Sequence, residues 1–146
     1  VSMTLDEHMQ SKLLSLAHLS SASLNNMLII SALLQQYAPA QSLTLKELEN
    51  MSKAVLQKLS QTQKIQSGYY FDSATLKSFI SILKQNQLIS VEQDIFILHL
   101  DFEDKISAIF KGFDQNMYQT IQESINFSEK ELKVFKQMNK KSFDSK

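Results

Sequence analysis

Few side chains in this sequence could do chemistry. His99 and Asp104 bracket the run His99-Leu100-Asp101-Phe102-Glu103-Asp104. An imidazole with a carboxylate close by is a common pairing for taking a proton from a hydroxyl near neutral pH. Against that reading, His99 would close a strand. Asp104 would fall in the first turn of a helix, where an acid already complements the positive end of the helix dipole. No Arg and no glycine-rich loop accompanies the pair to hold a phosphate. The structural reading is preferred, and a small enzyme using His99 and Asp104 is the weaker alternative. His8 and His18 have no acid at the same spacing and lie on predicted helices. No metal site is predicted, because the three His are far apart, Cys is absent, and Asp101, Glu103 and Asp104 suit a helix start. Ser is plentiful, but no Gly-x-Ser-x-Gly elbow exists. No cofactor is predicted.

The totals narrow the class. The chain has 146 residues, which suits one domain. Hydrophobic residues are 43% and charged residues 21%, a globular balance. Two Gly and one Pro are too few for a many-turned β fold. The net charge is zero and all fifteen basic residues are Lys, which argues against a nucleic-acid partner. Without Cys there is no disulfide and no thiol chemistry. The most apolar run, "LNNMLIISALL" from Leu24, is too short to span a bilayer. The opening "VSMTLDEH" does not start with Met, which suggests a piece of a longer protein or an added leader.

Helix starts recur as capping boxes, in which a hydroxyl caps the third amide and a Glu reaches back. They stand at Thr4–Glu7, Thr44–Glu47 and Ser128–Glu131. The pattern predicts helices from Thr4 to about Ala17, from about Ser23 to Tyr37 ahead of Pro39, and from Thr44. In the last, Leu45, Leu48, Met51, Val55 and Leu59 are expected on one face. After a polar loop, Asp72 is the expected N-cap of the next helix, with Phe71 and Leu76 at staple spacing and Leu76, Phe79, Ile80 and Leu83 as its apolar stripe. Tyr69 and Tyr70 are expected to pack beneath that entrance, with the lining of a groove as the other reading. "LISVEQDIFILHL" then reads as two strands around a Glu92-Gln93-Asp94 turn. One long helix is expected from near Asp101 through Gly112 to Ile125, then a last helix from Ser128 with Phe127 and Leu132 at staple spacing. The expected fold is mainly α, about six helices with one short β-hairpin. A helix followed by a hairpin makes its second half winged-helix-like. Residues 1–146 form a single helical domain, with 127–146 a basic helix and a frayed tail.

Three segments carry a resemblance: "TLKELENMSKAVLQKL" from Thr44, "YYFDSATLKSFISILKQNQLIS" from Tyr69 and "MYQTIQESI" from Met117. In this order, after "QSKLLSLAHLSSASLNNMLIISALL", they resemble the C-terminal region of the bacterial membrane-associated glycerol-3-phosphate 1-O-acyltransferase. The similarity runs from about Asp6 to Ile125 and rests on segment order and apolar pattern. The resemblance implies a parent enzyme that transfers a fatty acyl group from acyl-carrier protein or acyl-coenzyme A to glycerol 3-phosphate. This opens phospholipid synthesis at the cytoplasmic face of the inner membrane. The family's catalytic motif is His, four residues, Asp, and lies in a separate upstream domain. His99 and Asp104 match that spacing, but their flanks do not match the family's catalytic block.

The implied role is a non-catalytic accessory domain. Its expected partners are the parent's catalytic domain, and the membrane surface or acyl-carrier protein. The other reading is a freestanding winged-helix-like interaction module. The wing turn "VEQD" carries two acids where a phosphate contact wants Lys, so nucleic acid is not expected. On the last helix, Lys130, Lys133, Lys136, Lys140 and Lys141 alternate with Leu132, Phe135 and Met138. That layout suits contact with an anionic membrane or a partner. The favoured alternative is a helix docked on the domain with a solvated basic face, since Glu129 and Glu131 dilute the charge.

Overall fold

The run Asn25–Leu34 leaves a helix no polar side, so that helix must be enclosed. In the computed structural model, which describes residues 21–62, 71, 73–109 and 115–144, it is. Helix α1 (Ser21–Tyr37) buries Met27, Leu28, Ile29, Ile30, Leu33 and Leu34 together. Around it lie α2 (Leu45–Gln61), α3 (Ser73–Gln85), a hairpin of β1 (Ile89–Glu92) and β2 (Ile95–Leu98), α4 (Phe102–Ile109) and α5 (Gln115–Ser124). A last helix, α6 (Glu129–Asp144), lies across α2. The fold is mainly α, with one antiparallel hairpin.

The described residues hold six helices. The expected Thr4–Ala17 helix lies outside them, as do Asp72, Tyr69 and Tyr70. Where a long helix with a close contact or a bend at Gly112 is expected, the described residues hold α4 and α5, and residues 110–114 between them, Gly112 included, are not described.

Local signals explain most boundaries. The Thr44 hydroxyl accepts the Glu47 amide at 3.2 Å, which satisfies one of the free donors at the start of α2. At α6 the box closes both ways: the Ser128 hydroxyl accepts the Glu131 amide at 3.1 Å, and the Glu131 carboxylate accepts the Ser128 amide at 3.0 Å. Leu48, Met51, Val55 and Leu59 of α2 are buried, and so are Leu76, Phe79, Ile80 and Leu83 of α3. Leu45 is the exception in the α2 stripe: it is 39% exposed and lines a groove.

The period changes after Asn86 in the sequence, and α3 ends at Gln85, though no Gly marks the cap. Gln87 takes a left-handed conformation, φ 61°. The Leu88 amide reaches the Leu83 carbonyl at 3.0 Å and the Gln87 amide the Lys84 carbonyl at 3.1 Å. This is the Schellman arrangement, and Leu83 and Leu88, both buried, supply its apolar contact. The chain enters β1 at once. Glu92 pairs with Ile95, so the turn is only Gln93-Asp94, both at positive φ. A third short backbone segment joins the hairpin: the Phe96 amide bonds the Leu43 carbonyl at 2.9 Å, and Thr44 bridges Ile95. The order helix, edge segment, two helices, hairpin is the winged-helix outline.

A left-handed Gln costs energy that a Gly would not. Gln87→Gly is expected to raise the urea midpoint, by about 0.5–1 kcal/mol in stability. Ser81→Gly, on an exposed interior turn of the same helix, is expected to lower it by about 0.5 kcal/mol.

Candidate functional site

The weaker alternative site, His99 with Asp104, falls at the turn from β2 into α4. The His99 amide bonds the Leu88 carbonyl at 2.9 Å, and its own carbonyl accepts the Phe102 amide at 3.0 Å, turning the chain into α4. Its ring Nδ1 is hydrogen-bonded to the Gln87 carbonyl. A carbonyl only accepts, so Nδ1 carries the proton. The nitrogen that an orienting carboxylate would hold is therefore taken by the backbone. Among the described residues no hydrogen bond joins His99 to Asp104. Asp104 and Glu103 are exposed in the first turn of α4, where they complement the helix dipole. Also among the described residues, no group of three or more His, Asp or Glu could hold a metal ion, and no helix is long and apolar enough to cross a membrane.

The C-terminal helix is held by a clasp at Tyr37. The Tyr37 hydroxyl donates to the Ile125 carbonyl at 2.6 Å and accepts the Phe127 amide at 2.9 Å. It thereby ties the end of α1 to the link between α5 and α6. Phe127 sits 6.1 Å from the Tyr37 ring and 5.1 Å, edge-on, from the Phe135 ring. Lys58 of α2 stands 4.3 Å above the Phe127 ring and 3.6 Å from the Glu131 carboxylate. The Ser128 amide, followed by Lys58, holds the Glu131 carboxyl below its ordinary value. A lowered carboxyl stabilises the fold above the unfolded-state pKa and loses that effect as the pH falls through the lowered one.

The predicted basic residues divide. The Lys136 ammonium meets the Glu47 carboxylate at 3.1 Å and the Ser42 carbonyl at 3.0 Å. Glu47 is only 4% exposed, so this cation neutralises a nearly buried charge. Lys130 and Lys133 are exposed. Lys140 and Lys141 lie on the helix backbone, but their side chains are outside the described residues. Phe135 is buried and Leu132 packs against the core, so these two apolar residues face the domain.

A groove that the sequence did not signal opens between α2, α3 and the hairpin, with a volume of about 820 Å³. Leu45, Ile80, Val91 and Phe96 give it an apolar surface, and Lys46, Lys77 and Lys84 stand around it. Glu49 also lines it. Burial would raise the Glu49 carboxyl, but a 2.7 Å hydrogen bond from the Ser73 hydroxyl and the charges of Lys53 and Lys46 hold it below its ordinary value.

Compared with known proteins, the sequence matches the family described as glycerol-3-phosphate acyltransferase C-terminal region over residues 2–92. The chain belongs to that family. The match ends with β1, so the segment "MYQTIQESI" lies beyond it. No curated protein matches the chain, and no solved structure does. Membership of a C-terminal region family implies a parent protein with a catalytic part elsewhere.

Removing the Lys136 ammonium would leave Glu47 with a nearly buried, unneutralised charge. Lys136→Met is expected to lower stability by about 1–2 kcal/mol in urea unfolding. Adding Glu47→Gln should restore much of that loss. Lys133→Met, at an exposed site, should change stability by less than about 0.5 kcal/mol.

Proposed function

We propose that this chain is the non-catalytic C-terminal accessory domain of a glycerol-3-phosphate 1-O-acyltransferase. Acyl transfer to glycerol 3-phosphate, the opening step of phospholipid synthesis, is carried by the parent's catalytic domain. The accessory domain packs against that catalytic part and helps place it at the cytoplasmic face of the bacterial inner membrane or near acyl-carrier protein. The family membership supports the parentage. The observation that carries the non-catalytic role is the His99 ring, whose Nδ1 is hydrogen-bonded to the Gln87 carbonyl and not to a carboxylate. A general base held that way lacks the acid that would stabilise its protonated form.

The C-terminal helix is read as a strap and not as an anchor. Leu132 and Phe135 would have to leave the core before they could enter a bilayer. Lys130 and Lys133 remain for weak, salt-sensitive contact with an anionic membrane or partner surface. The winged-helix-like order supports an interaction role as well, and a freestanding interaction module is the second reading.

Acyl transfer from acyl-coenzyme A to glycerol 3-phosphate, assayed on this chain alone, is expected to show no turnover above the protein-free control. Turnover that His99→Ala or Asp104→Asn abolishes would overturn the accessory reading.

A further inference from the structure

We propose that the groove between α2, α3 and the hairpin is a docking site for an acidic amphipathic helix of a protein partner. Leu45 and Val91, 39% and 38% exposed, are among the large apolar side chains that the fold leaves open, and both line this groove. Among the described residues, none buries them. Three cations frame them. Lys77 and Lys84 are seven residues apart on α3, two helical turns, or about 10.5 Å along its axis. Ile80 lies between them on the same stripe, nearly buried, as apolar floor. Lys46 stands on α2, the opposite wall. Among the described residues, neither Lys77 nor Lys84 makes an ion pair.

Lysines outnumber acids in the groove, three to two. The Glu49 carboxylate is already engaged by the Ser73 hydroxyl and, at 3.4 Å, by Lys53. Asp94 lies at the hairpin turn. What remains is an apolar strip with cations spaced along it. Its complement is a helix with Glu or Asp two turns apart and apolar side chains at i+3 and i+4 between them, a helix-in-groove arrangement. A free phosphate would leave the apolar strip between the cations uncovered. Duplex nucleic acid would press phosphates against Leu45 and Val91 and against two acids, without any Arg to read it. The inference does not depend on the parentage: the docking helix is defined by its charge and apolar pattern, whichever protein carries it.

The test uses the full chain and a synthetic fluorescent helical peptide of about five turns, with Glu at i and i+7 and Leu at i+3 and i+4. Anisotropy titrations should show saturable binding that weakens as salt rises to about 0.15 M. Lys77→Glu together with Lys84→Glu should weaken it at least about ten-fold, and Val91→Asp should weaken it too. Gln119→Glu, at an exposed site on α5, should leave it unchanged, and circular dichroism should show all variants folded. A peptide with Lys in place of Glu should not bind. Absence of peptide binding overturns the proposal, and so does binding indifferent to Lys77 and Lys84. So does a result in which phosphatidylglycerol vesicles, inorganic phosphate or a DNA duplex bind through these lysines while the peptide does not.

Discussion

A helix without a polar face has to be covered on every side, and α1 sets that demand for the whole chain. Met27 to Leu34 are buried in sequence, so the middle of the helix gives no side to solvent. One layer of partners could not do this. Helices α2 and α3 cover part of α1, the hairpin and α4 another part, and α5 a third. Burial of this kind, at roughly 25 cal/mol for each Å² of apolar surface, is the main force holding the elements together. It also explains why the family-matched stretch, ending at residue 92, is not a complete structural unit. Phe96, Phe102, Ile106, Ile121 and Ile125 lie beyond it and belong to the same core.

The C-terminal strap follows from the same constraint. Once α5 lies on α1, the chain must turn back over α2, and the turn is fixed by one hydroxyl. Tyr37 donates to Ile125 and accepts from Phe127, so both backbone groups are satisfied near the core's edge. From there Phe127 and Phe135 seal the apolar side of α6, while Lys58 and Glu131 bridge the rim. Lys136 enters the gap over Glu47, so one of the five lysines that suggested a membrane contact is used inside the domain.

What the sequence could show was what acts locally. Thr44 with Glu47 and Ser128 with Glu131 announced their helices because a cap joins residues three apart. The α3 stripe and the hairpin were legible from their periods. The Glu92-Gln93-Asp94 turn was legible too, but not that Gln87, Gln93 and Asp94 adopt positive φ without a Gly among them. The Leu45 position was misjudged because periodicity gives a face but not what lies opposite it. The Tyr37 clasp and the Lys136 pairing join residues 88 and 89 positions apart, and no single-sequence pattern carries such a link. The His99–Asp104 spacing shows the reverse hazard. It suggested a site, but the backbone takes the ring nitrogen that the site would need.

The account stands on residues 21–144 forming one cooperative body around α1, with the elements after residue 92 as necessary as those before it. Native-state hydrogen exchange of the full chain tests this most directly. The amides of Leu33 in α1, Phe79 in α3 and Ile121 in α5 should open with free energies within about 1.4 kcal/mol of one another, the global unfolding value. Protection that survives in α1 to α3 while α5 exchanges as an open chain would contradict it.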